Sequence, residues 1–151
     1  MAWSTGTAGQ ILMILVDTNV LSAMMRVLVG PAVERWFDAQ PPESVWTTTI
    51  TIFEIRFGLA LLAPGRRRDR LYDAFDRAID EILGGRVLPF DRSAAESAAT
   101  IAARQRQVGR PVEIRDVEIA GIATARKATL ATRNTRHFVN LGIVLIDRWQ
   151  A

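Results

Sequence analysis

The chain has 151 residues, 49% of them apolar, and carries 19 Lys and Arg against 16 Asp and Glu, a net charge of +3. That length suits one compact domain with a substantial core and is too short for two ordinary ones. The absence of cysteine excludes disulfides, thiolate zinc sites and a cysteine nucleophile, and a single histidine, His137, excludes chemistry that needs two imidazoles for acid and base work.

Residues 1–10 are small, polar and glycine-containing and read as a disordered leader before a single domain over 11–151. The longest apolar run, Ile11 to Val16, is far below membrane-spanning length and follows no basic secretory start, so the expectation is a soluble cytoplasmic protein with no membrane association. That run predicts a strand at 11–16. Helices follow from Thr18 to about Val29 and at 31–39, then a short strand at 45–48 and a helix at 49–63 whose buried stripe would be Ile50, Phe53, Phe57 and Leu61. Beyond Pro64-Gly65, the spacing of Leu71, Phe75, Ile79 and Ile82 or Leu83 predicts the second arm of a helical hairpin from Arg67 to Leu83, ended by Gly84-Gly85. A strand at 86–89 precedes an Ala-rich helix at 92–107, opened by the cap signal Asp91-Arg92-Ser93. After the Gly109-Arg110-Pro111 turn come a helix from about Arg115 to Lys127, strands at 129–132 and 143–146, and between those strands a helical turn near Thr135 to Val139. Alternating strands and helices imply an α/β fold in three α/β/α layers around a mostly parallel sheet, with ligands at the carboxyl ends of the strands.

Four acid or amide positions adjoin buried-looking segments: Asp17 after ILMILV, Glu54 in TITIFEIRFG, Asp116 in IRDVEIAGIA and Asn134 in TLATRN. Each has a structural explanation of its own. Asp17-Thr18-Asn19 are capping types, with Thr18 or Asn19 the expected cap and Asp17 left over; Glu54 can reach solvent from the edge of its stripe; Asp116 suits the first turn of a helix. Gly58, one turn beyond Glu54, leaves room for a substrate or another backbone. Glu118 faces away from Asp116 and reads as solvated. Taken jointly the acids point elsewhere, because two carboxylates about 4 Å apart repel by roughly 4 kcal/mol at an effective dielectric near 20. A divalent cation removes that cost and polarises phosphoryl oxygens. With the three acids set aside, 13 acids face 19 bases, a balance of +6 made almost wholly of arginine, which suits phosphate.

Asp17 in ILVDTNVLS, Glu54 in TTTITIFEIRFGLALL, Asp116 in GRPVEIRDVEIAGIA and the TLATRNTRHF segment resemble, in order and spacing, the PIN-domain nucleases, and among them the VapC and FitB-like toxins of bacterial toxin-antitoxin pairs. The resemblance runs from Met13 to the terminal VLIDRW. It implies that Asp17, Glu54 and Asp116 ligate Mg²⁺ or Mn²⁺, with Asn134 at a fourth catalytic position that is Asp in some relatives and Asn in others. His137 stands where these toxins often have Asp, which bears on whether a second metal is held. The implied activity is hydrolysis of RNA by a Mg²⁺-dependent endoribonuclease that leaves 5′-phosphate and 3′-hydroxyl ends. The implied partner is a VapB/FitA-like antitoxin through which alone DNA is contacted, together with a homodimer for which Met24, Met25, Phe57 and Leu61 supply surplus apolar surface.

Around such a site Thr18 and Thr132 are hydroxyls that could orient ligands, Arg133 is a candidate phosphate contact, and the hairpin run Arg66, Arg67, Arg68 and Arg70 could grip an RNA backbone. The neutral Asn134 and the His137 departure motivate an alternative, a PIN-like module that binds RNA or a regulatory partner without cutting. A phosphoaspartate receiver is disfavoured, because Asp17 lacks a second acid two residues on and the only lysine, Lys127, lies at a helix end.

Overall fold

The computed structural model describes residues 13–25 and 31–147, the side chains of 31–34 excepted. The leader expected at 1–10, the opening of the strand expected at 11–16 and the last turn of the helix expected to reach Val29 lie outside these residues. Strand β1 (Ile14–Val16) leads into helix α1 (Thr18–Met25), and α2 (Pro31–Asp38) follows. A 3-10 turn at Pro42–Ser44 precedes β2 (Val45–Thr48), which passes without a linker into α3 (Thr49–Ala60), and α4 (Arg66–Arg77) completes the expected hairpin. The remainder is β3 (Val87–Leu88), α5 (Arg92–Gln107), α6 (Ile114–Arg126), β4 (Thr129–Ala131), α7 (Thr135–Phe138) and β5 (Leu145–Ile146).

The five strands form one sheet in the order β3-β2-β1-β4-β5, with every neighbouring pair parallel. Side chains alternate across it: Ile14 and Val16 join the cluster with Val20, Leu21, Ile55 and Phe75, whereas Leu15 joins Val117, Ala120, Leu130 and Phe138 on the other face. Helices α1, α3 and α4 therefore cover one face and α5, α6 and α7 the other, as a parallel sheet buried on both sides requires. Because the chain steps outward from β1 to β2 to β3 and then returns to place β4 on the opposite side, the order reverses between β1 and β4. The carboxyl ends of those two strands flank the crevice where open α/β sheets bind ligands.

The buried face of α3 differs from the expected one. Thr51, Ile55 and Leu59 point inward, whereas Phe53, Phe57 and Leu61 are 58%, 52% and 72% exposed. The helix is apolar almost all round, so its periodicity did not select a face. The rotation is set instead by the direct passage from β2, where the Thr48 hydroxyl accepts the Thr51 amide at 3.1 Å. A second difference lies at the end of α4, which widens into a π-helical turn over Ala78–Ile82. That turn puts Leu83 fully in the core and leaves Ile82 half exposed. The predicted cap at Asp91 is present, its carboxylate accepting the Ala94 amide at 3.0 Å.

Candidate active site at the carboxyl ends of β1 and β4

Asp17 is the first residue after β1, and its amide still donates to Ala131 on β4 at 3.3 Å. Its carbonyl accepts the Leu21 amide and its Oδ1 the Val20 amide at 3.3 Å, so Asp17 itself caps α1, in place of the expected Thr18 or Asn19. The other carboxylate oxygen accepts a short hydrogen bond from the Thr132 hydroxyl at the end of β4. Asp17 is 5% exposed. Burial pushes its carboxyl up to about 6, against the pull of the Thr132 hydroxyl and the Val20 and Asn19 amides, and the Glu54 charge adds to the rise.

Thr18 is freed from capping. Its hydroxyl donates to Glu54 Oε1 at 2.9 Å and so ties α1 to α3. Glu54 is half-buried, and its other oxygen lies 3.9 Å from Arg115 Nη1. Beside it Gly58 has open space, and the two residues share a groove of about 340 Å³ with Thr18, Met25 and Leu71.

Asp116 occupies the first turn of α6, where Glu113 caps the helix by accepting the Arg115 and Asp116 amides at 2.9 and 3.2 Å. The Asp116 carboxylate meets His137 Nδ1 at 3.2 Å. Its pKa is raised, first by desolvation, with Glu113 and Glu54 adding to the rise and the His137 charge opposing it. Thus Glu54 bears electrostatically on both aspartates, and the three acids share one field at the sheet edge.

Arg115 escaped the sequence reading. Its guanidinium lies between Glu54 and Glu113, with Nε 3.3 Å from Glu113 Oε1. The available signal was an arginine in the first turn of a helix, where the macrodipole disfavours a cation unless an acid compensates. Glu118 also differs from expectation, being half-buried with a raised pKa from desolvation and from Glu113.

Asn134 is exposed, and its amide donates to Thr132 Oγ1 at 2.9 Å, which places it at the same strand end as Asp17. Arg133 is exposed and its charge acts on Asp147. Of the hairpin arginines, Arg66 and Arg67 are exposed at the start of α4, whereas Arg68 turns inward and donates to the Leu62 carbonyl at 3.4 Å.

The donors at this edge are oxygens, which suits Mg²⁺ or Mn²⁺ rather than a softer metal. Asp17, a carboxylate held deep in the protein without a cationic partner among the described residues, fits such an ion. In this arrangement no three His, Asp or Glu side chains among the described residues converge closely enough to enclose one. Glu54 lies beside Arg115 and Asp116 beside His137.

Thr132 is fully buried and serves both Asp17 and Asn134. Thr132→Val keeps its shape but removes the donor to a buried carboxylate and the acceptor for the Asn134 amide. A loss of about 2 kcal/mol is expected, measured by urea unfolding near neutral pH.

The sequence matches the profile of the PIN domain over residues 14–143. It is 39% identical over 139 residues to Plasmid stability protein StbB of Pseudomonas syringae pv. tomato, covering 92% of this chain and 100% of that one. Identity to VapC ribonuclease Y4jK of Sinorhizobium fredii is 37% over 138 residues, with 91% and 99% covered. Toxin FitB of Neisseria gonorrhoeae is 34% identical over 137 residues, with 91% and 99% covered, and a chain of the crystal structure of FitAcB from that organism superposes with a TM-score of 0.82 at 33% identity, covering 92% of this chain and 100% of that one. Family match, identity and coverage of both chains agree: the chain belongs to the PIN-domain family.

Proposed function

We propose that this protein is the toxin of a two-protein toxin-antitoxin pair and acts as a divalent-metal-dependent endoribonuclease in the cytoplasm. The observation that carries the reading is Asp17, a buried carboxylate at the point where strand order reverses, sharing its field with Glu54 and through it with Asp116. The relatives named as a VapC ribonuclease and as Toxin FitB support the activity and the toxin role. Asp17, Glu54 and Asp116 would hold Mg²⁺ or Mn²⁺. When bound, the ion supplies the positive charge that polarises a phosphoryl oxygen and acidifies water.

The chain's own residues set the geometry. Thr132 and the Val20 amide fix both oxygens of Asp17, and Thr18 fixes one oxygen of Glu54, so these carboxylates are oriented before substrate arrives. Arg115, once Glu54 engages a cation, is placed to meet a phosphate oxygen. Asn134 and Arg133 border the same strand end, and the exposed Arg66 and Arg67 offer further backbone contacts. The outer face of α3, with Phe53 and Phe57 stacked at a ring separation of 5.9 Å beside exposed Leu61, suits a second copy of the chain and the antitoxin, which alone would contact DNA.

In-line attack of water on phosphorus predicts products with 5′-phosphate and 3′-hydroxyl ends. Ligation-based mapping of cleaved RNA reads this directly, and 5′-hydroxyl with cyclic phosphate ends would contradict it. A second reading, a module that binds RNA without cutting, is favoured by the pairing of Asp116 with His137 and of Glu54 with Arg115. Folded protein that binds RNA but leaves it intact with Mg²⁺ and with Mn²⁺ would select that reading.

A further inference from the structure

Next to Asp116 lies a cleft of about 340 Å³ bounded by the α5–α6 turn and the segment around α7, with Arg110, Pro111, Val112, Arg136, Val139 and Asn140 on its walls. We propose that this cleft seats a nucleotide of single-stranded RNA adjoining the scissile phosphate, with the backbone phosphate held between Arg110 and Arg136. The inference rests on the nuclease reading for its orientation, since Asp116 and His137 form the wall shared with the acid site.

Three features argue for this occupant. First, Arg110 and Arg136 are exposed and make no ion pair or side-chain hydrogen bond among the described residues, whereas Arg92, Arg115 and Arg126 on the same helical layer are each paired with acids. Two unspent guanidiniums suit a phosphate. Second, both acids on the walls already have partners: Glu113 engages Arg115 and two backbone amides, and Asp116 meets His137 Nδ1 at 3.2 Å. Third, the walls are cross-linked. Gln105 accepts the Arg110 amide at 2.7 Å through its carbonyl and donates its Nε2 to the Asn140 carbonyl at 3.1 Å, holding the two sides at a fixed separation. The apolar surfaces of Pro111, Val112 and the 55% exposed Val139 give a base or ribose something to lie against.

The test is fluorescence anisotropy of a labelled single-stranded RNA of about a dozen nucleotides with the full chain in EDTA, over a range of KCl concentrations. Arg110→Ala and Arg136→Ala should each weaken binding about fivefold to tenfold and lower the slope of log affinity against log salt by about 0.7, the value for one phosphate contact on a single strand. Arg35→Ala and Arg77→Ala, at exposed arginines on α2 and at the end of α4, should change binding less than about twofold, and Arg136→Lys should recover part of the loss. Unchanged melting temperatures separate these effects from unfolding. Wild-type binding by both cleft variants, or an equal loss in the Arg35 and Arg77 variants, would overturn the proposal. So would weakened binding of a polyglutamate peptide with RNA binding intact, which would give the cleft to an acidic protein segment. Cleft-dependent binding without cleavage would leave this site standing and remove the nuclease reading. Cleavage with cleft variants as active and as tight as wild type would do the reverse.

Discussion

Replacing Asp17 by Asn should reduce RNA cleavage by at least about a hundredfold and, in the same protein, raise stability when metal is absent. The first effect follows from the proposed role of Asp17, since losing one charged oxygen ligand puts several kcal/mol of transition-state charge stabilisation at stake. The second follows from linkage. Asp17 keeps its proton up to about pH 6 in the folded chain but releases it near 3.8 when unfolded, so between those values the native state binds more protons and stability falls as pH rises. Above pH 6 the cost is constant at about 3 kcal/mol, a shift of about two units. Asparagine removes that cost but keeps only one acceptor for the Val20 amide and the Thr132 hydroxyl, which returns about 1 kcal/mol. The variant should therefore melt several degrees above wild type in EDTA near pH 7.5, with the gap closing near pH 4. Millimolar Mg²⁺ should then raise the wild-type melting temperature and leave the variant unchanged. A variant less stable than wild type near pH 7.5 in EDTA would show that the buried carboxylate carries no penalty.

Gly121→Val should be the most damaging single change away from the site, costing about 3–5 kcal/mol and lowering the melting temperature by about ten degrees or more. A Cβ at Gly121 would lie 2.5 Å from the Ala94 carbonyl oxygen, 2.6 Å from the Ala98 Cβ and 2.8 Å from the Ala98 nitrogen. Two of those atoms are backbone and cannot swing aside, so α5 and α6 must separate. Asp116 and the capping Glu113 ride on α6, and the same separation would loosen the acid site. Even Gly121→Ala should be destabilising, by about 1–3 kcal/mol, despite the better helix propensity of alanine. Thermal melts of both variants check this, and an alanine variant as stable as wild type would mean that the two helices are not in such contact.

Much of the architecture was legible because each element carried its own punctuation. Asp91 capped the Ala-rich helix, Pro64-Gly65 broke the hairpin and Gly84-Gly85 ended it, as turn and cap chemistry require. Asp17 and Asn134 were placed at one edge by their positions after apolar strands, and the parallel sheet put them there. What the sequence left undetermined was azimuth and partnership. Nothing in TITIFEIRFGLA distinguishes the face of Phe53 and Phe57 from that of Ile55 and Leu59, and only the join to β2 chooses between them. Among three capping residues in a row, selection fell to the one whose carbonyl and carboxylate both faced the first helical amides. Arg68 and Arg115 sit in charged stretches that look solvated, yet one reaches the end of α3 and the other bridges two acids. Contacts between residues tens of positions apart depend on how α3 and α6 meet over the sheet, which no local pattern records.

The most direct test is incubation of total bacterial RNA with the purified, antitoxin-free chain in Mg²⁺, in Mn²⁺ and in EDTA, with Asp116→Asn alongside. The acid-cluster account predicts discrete cuts that need the metal and vanish in the variant. Cuts that persist in EDTA, or that survive loss of Asp116, would contradict it.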